Sequence, residues 1–169
     1  MPTLIRLENG HFAEVEDRFT LVGPDDLTPE AGGVILPLTR FEGEGALLEG
    51  RAVGVLLQPD EPVEALAYDL PRIAVVALSF PKFRDGRAFS SAALLRTRLG
   101  FTGEIRAVGD VLREQAREMV RCGFDAFVPS DGSSSQEWAA AANRYRHVYQ
   151  TAADRRAPAF VERNSSDGL

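Results

Sequence analysis

The chain has 169 residues, 44% of them hydrophobic and 26% charged, with a net charge of −6. That suits one ordinary globular domain large enough to bury a core. A single cysteine, Cys122, excludes an internal disulfide and cysteine-held metal or iron–sulfur clusters. His11 and His147 are too far apart in sequence to suggest a zinc motif. No apolar run approaches the roughly 18 residues of a membrane span, and the first residues lack the pattern of a secretory signal. A cytoplasmic protein with no metal or cofactor of its own and no membrane partner is therefore expected.

Charge is unevenly distributed. Residues 1–70 carry 14 acidic and 4 basic side chains, whereas residues 82–121 carry 9 basic and 5 acidic ones. The basic stretch suits an anion or an acidic partner surface. An acidic total and the lack of a recognised motif argue against nucleic acid. One lysine, Lys82, stands against eighteen arginines. Lysine presents a compact, rotatable charge where arginine presents a planar fork, so the two are not interchangeable at a site.

Along the chain, Leu4, Ile5 and Leu7 precede Asn9-Gly10, and Phe12, Val15, Phe19 and Leu21 follow. Asn-Gly between apolar alternations predicts a β-hairpin, followed by an acidic Gly/Pro-containing loop from Gly23 to Gly33. Val34–Leu38 and Ala52–Leu57 are short apolar runs, and Arg72–Phe80 reads as a strand buried on both faces. Gly103–Gly109 and Phe124–Pro129 complete the strands. Between them lie predicted helices. Pro62–Tyr68 is short, Ser90–Leu99 stops at Gly100, and Val111–Cys122 starts after Asp110 and stops at Gly123. Ser134-Ser-Gln-Glu137 is a capping box opening a longer helix through Trp138, Ala142, Tyr145, Val148 and Tyr149. Aromatic residues at that spacing indicate core.

The fold class is α/β: a parallel sheet with alternating helices, either open or a partial β/α barrel, plus the N-terminal hairpin. The expected organisation is a hairpin and acidic loop over residues 1–30, an α/β domain over 31–153 and a flexible tail over 154–169.

Ligands of parallel α/β folds bind beyond the carboxyl ends of the strands. There the chain places Lys82, Arg84, Asp85 and Arg87, with Ser90 just beyond, then Asp110, then Asp131. Lys82, Arg84, Arg87 and Ser90 are candidate anion-binding residues. Asp85 and Asp110 are candidate catalytic bases. Each has a structural alternative: Asp85-Gly86 as a turn and Asp110 as a helix cap. Cys122 reads as packing rather than as a reactive thiol. Phosphate-binding glycine loops, dinucleotide fingerprints and the nucleophile-elbow pattern are all missing.

Four ordered motifs carry a family likeness: Phe80-Pro-Lys-Phe-Arg-Asp-Gly-Arg87, Leu94-Leu-Arg-x-Arg-Leu-Gly-Phe101, Gly103-Glu-Ile-Arg-Ala-Val-Gly-Asp-Val-Leu-Arg113 and Arg121-Cys-Gly-Phe-Asp125. Together they resemble a bacterial domain-of-unknown-function family whose members are often named "probable oxidoreductase involved in sulfite reduction". The likeness is close over residues 72–130 and looser over 30–150. The family pattern Asp-Gly-Arg-Gly-Tyr-Ser becomes Asp85-Gly-Arg-Ala-Phe-Ser90 here, which removes a phenolic hydroxyl and argues against tyrosine-dependent chemistry. The resemblance implies an accessory role in assimilatory sulfite or sulfate reduction, in association with sulfite reductase and with a small oxyanion such as sulfite at the rim. With no redox fingerprint in the sequence, any redox centre would belong to the partner. The rival expectations are a stand-alone small-molecule enzyme with a Lys/Asp strand-end site and a degenerate enzyme fold kept for binding.

Overall fold

The computed structural model describes residues 3–145 and 147–166, the last three of these by their backbone alone. Strands β1 (Leu4–Glu8) and β2 (His11–Val15) form the expected antiparallel hairpin. Asn9 and Gly10 at its tip have φ of 51° and 80°, the left-handed pair that a two-residue turn of this type requires.

The parallel strands follow as β3 (Phe19–Leu21), β4 (Gly33–Pro37), β5 (Val53–Leu57), β6 (Ile73–Phe80), β7 (Glu104–Gly109) and β8 (Ala126–Phe127). They pair in sequential order, and β1 adds antiparallel to β8, giving one eight-stranded sheet ordered β2-β1-β8-β7-β6-β5-β4-β3. The hairpin is thus an extension of the main sheet.

That order leaves β2 and β3 at opposite edges, although only residues 16–18 separate them in sequence. Flat, the edges would stand roughly 34 Å apart at about 4.8 Å per strand. The linking chain reaches about 14 Å at full extension. The sheet therefore has to curl, and it forms a half-barrel with residues 16–18 as a strap across its open side. Of the two expected forms, the partial barrel is the one adopted.

Helices α1 (Leu38–Glu44), α2 (Arg87–Thr97), α3 (Ala116–Cys122) and α4 (Ser135–Ala142) cover the convex face. The main core lies beneath them and includes Leu36, Val55, Leu57, Val76, Leu78, Phe80, Ile105, Phe127 and Trp138. Trp138 stacks 4.6 Å from Phe127 and donates through Nε1 to Ser133 Oγ at 2.9 Å, so it is core as expected. The concave face holds a smaller cluster, Ile35, Val75 and Ala77, with Phe19 and Leu56 packed against it.

Several boundaries differ from the expected ones. The segment 62–68 forms a 3-10 turn, Val63–Leu66, in place of an α-helix. α2 starts three residues early and ends at Thr97. α3 begins only at Ala116, after a 3-10 turn, because Asp110 is drawn to the Phe83 N–H and the Val111 carbonyl accepts from Ser130. The Ser134–Glu137 capping box is present, but α4 stops at Ala142, leaving Tyr145 and Tyr149 outside it and exposed. Within the expected tail, Ala159–Ser166 forms helix α5, and residues 167–169 lie outside the described residues. Among the described residues no helix is long and apolar enough to cross a membrane.

Candidate functional site at the strand-end rim

The β6–α2 loop leaves β6 at Phe80 and enters α2 at Arg87. Side chains from the segment after β7 hold it in place. Phe83 N–H donates to Asp110 Oδ2 at 2.8 Å, and Gln115 Nε2 donates to Phe83 O at 3.0 Å. Asp110 reaches this position because its own N–H bonds the Phe80 carbonyl at 2.7 Å. Gly109 permits that turn with φ of +99°, where a Cβ would run into the Phe80 backbone. The sequence alternative of Asp110 as a helix cap is not what forms: α3 has Gln115 at its N-cap.

Asp85 is equally engaged. Arg87 grips its carboxylate with Nε to Oδ1 at 2.9 Å and Nη2 to Oδ2 at 2.7 Å. The Arg87 guanidinium lowers the Asp85 pKa below its ordinary value, which weakens Asp85 as a base. Arg87 in turn spends its planar fork on Asp85. Lys82 and Arg84 are exposed, and neither side chain has a hydrogen bond or ion pair among the described residues. Between them Phe83 is 38% exposed. Ser90 sits exposed in the first turn of α2. Asp131 is held below its ordinary pKa by the Ser133 hydroxyl and then by the Ser133 N–H, which donates to Oδ1 at 3.0 Å. The structure thus gathers Lys82, Arg84, Asp85, Arg87 and Asp110 around one loop, with both candidate bases already committed to holding it.

Sequence reasoning missed a charged network on the concave face. Arg106, 2% exposed, donates from Nε to Glu104 Oε1 and from Nη1 to Asp17 Oδ2, both at 2.7 Å. Glu104 Oε2 accepts from Arg6 Nη2 at 2.5 Å. The alternation Glu104-Ile-Arg-Ala107 was the available signal, since it puts both charges on one face of a buried strand. At the amino ends of the strands, Arg96 ties loops together through Gly123 O, Phe101 O, Gly103 O and Asp125. Cys122 is half-buried, and burial raises its thiol pKa. Among the described residues no group of three or more His, Cys, Asp and Glu side chains is placed to hold a metal ion.

The molecule is a curled α/β half-barrel carrying a cationic, aromatic loop at the carboxyl ends of its strands. It belongs to the family of bacterial proteins of unknown function DUF934, whose model matches residues 54–160. That match takes in β5 to β8, the β6–α2 loop and the helices packed on them. No curated protein matches the chain.

Proposed function

We propose that the protein is a non-catalytic accessory component of sulfite reduction that docks on sulfite reductase through the β6–α2 loop. The sulfite context comes from the resemblance carried by the motifs at residues 80–125. The observation that supports docking is the exposed Phe83 flanked by the uncommitted cations Lys82 and Arg84 on a loop whose Phe83 N–H and carbonyl are both held by side chains of the β7–α3 connection. An aromatic anchor with cationic neighbours suits an acidic surface with an apolar socket, and a rigid loop loses little entropy on binding. Asp85 and Asp110 are held in structural bonds, which favours binding over acid–base turnover.

Copurification with sulfite reductase tests the reading. Wild-type protein is expected to retain the reductase, and Phe83→Ala is expected to weaken the complex by about thirtyfold, the effect of losing an anchor worth roughly 2 kcal/mol. Lys82→Glu with Arg84→Glu is expected to abolish it. A wild-type protein that never associates with the reductase would overturn the proposal. The same two cations favour a second reading, a small oxyanion held at the rim. Saturable sulfite binding that disappears in Lys82→Gln would select it.

A further inference from the structure

Away from the rim, a cavity of about 330 Å3 lies between the tip of the hairpin, α3, the end of α4 and the segment following it. Its size falls within the range of small-molecule sites. The apolar part of its lining is Leu7, Phe12, Val120 and Ala142, and its charged part is Arg117, Arg121, Arg156 and one acidic residue, Asp154. Asp154 is already paired with Arg121, whose Nη1 lies 3.1 Å from Oδ1. Arg121 also bonds the Gln150 carbonyl and accepts the Ala153 N–H at its own carbonyl, so it fixes the wall formed by residues 150–154.

Arg117 is placed differently. Its guanidinium lies 4.8 Å from the centroid of the Tyr145 ring, and Nη2 makes a long 3.4 Å bond to His147 O. Its Nε is buried and has no hydrogen-bond acceptor among the described residues. That sealed atom is out of a ligand's reach, but the Nη atoms, whose one recorded bond is the long contact to His147 O, can meet an anionic oxygen, the partner that best satisfies a guanidinium. Phe12 supplies a ring that continues into the Phe127–Trp138 stack, 5.9 Å from Phe127. An apolar floor beneath arginines suits a ligand with both an anionic head and a flat hydrophobic body.

We propose that this cavity is a binding site for a small organic anion of the aryl phosphate or aryl carboxylate class, with Arg117 on the anionic group and Phe12 against the ring. The site is independent of the docking loop. Calorimetric titration with phenyl phosphate, with inorganic phosphate and phenol as the two half-ligands, tests it. Phenyl phosphate is expected to bind saturably and at least about tenfold more tightly than either half. Arg117→Gln is expected to weaken it about tenfold or more, the loss of one charge-assisted bond. Lys82→Gln with Arg84→Gln is expected to leave it unchanged, separating this site from the rim. In wild-type protein, the amide shifts caused by phenyl phosphate are expected at Gly10, Val120 and Asn143. The proposal is overturned by absence of saturable binding, by shifts centred on residues 82–87, or by a folded Arg117→Gln protein that binds as wild type does.

Discussion

Arg87 decides what Asp85 can do. Two hydrogen bonds from one guanidinium stabilise the ionised carboxylate and depress its pKa. A group depressed in this way favours the folded state above its unfolded pKa, and that contribution is lost as pH falls through the folded value. Because the pair is solvent-exposed, its effect on global stability is small, and the informative measurement is local. Titration of the Asp85 carboxyl by NMR is expected to give a pKa below the ordinary aspartate value in wild type. In Arg87→Gln the value is expected to rise toward the ordinary one. An Asp85 that titrates at the ordinary value in wild type would restore it as a candidate base. Lys82 contrasts with this pair, since its ammonium is exposed and has no partner among the described residues.

At the scale of elements, the rim depends on how one connection holds another. Asp110 and Gln115, both from the β7–α3 connection, fix the backbone of Phe83 in the β6–α2 loop. Asp110→Ala is expected to cost about 1 kcal/mol through loss of the Phe83 N–H bond. It should also speed hydrogen exchange at the Phe83 amide selectively and weaken the proposed docking without altering Phe83 itself. Unchanged exchange at Phe83 would show that the loop is rigid for other reasons. Much of this level was legible in the sequence. Asn9-Gly10 marked the hairpin, Ser134 and Glu137 the capping box, and Arg72–Phe80 a strand buried on both faces, since each signal rests on neighbours in the chain. The start of α3 was not legible, because the carboxylate that resembled its cap is drawn away to a residue 27 positions earlier. For the same reason the sequence did not show that Asp110 was already engaged, and it did not show that the nearby Arg87 grips Asp85, because spacing alone does not fix where two side chains in a loop point.

At the scale of the whole molecule, closure of the half-barrel rests on contacts no local pattern reveals. The strap between β2 and β3 is pinned where Asp17 meets Arg106, residues 89 positions apart. Phe19, at the start of β3, lies under the same guanidinium at 5.7 Å. Arg106 therefore ties the seventh strand to the strap and to the edge strand β3 through one buried side chain. Removing one member of a buried ion pair typically costs about 3–5 kcal/mol, because the remaining charge loses its partner. Here the loss should fall at the lower end for three reasons. Glu104 keeps Arg6 as a partner, Asp17 is 31% exposed and can be hydrated, and Arg106 Nη2 is itself buried without an acceptor among the described residues. Urea unfolding of Arg106→Met is accordingly expected to show a loss of about 3 kcal/mol. Asp17→Asn, which keeps an acceptor for Nη1, is expected to lose about 1 kcal/mol. In Arg106→Met, hydrogen exchange should accelerate first at Phe19 and Gly33, where β3 meets β4, because the strap is the part released. If Arg106→Met is as stable as wild type, with Phe19 still protected, strand pairing and the Phe19 ring alone hold the edge. The concave charges would then be free to serve a purpose other than closure.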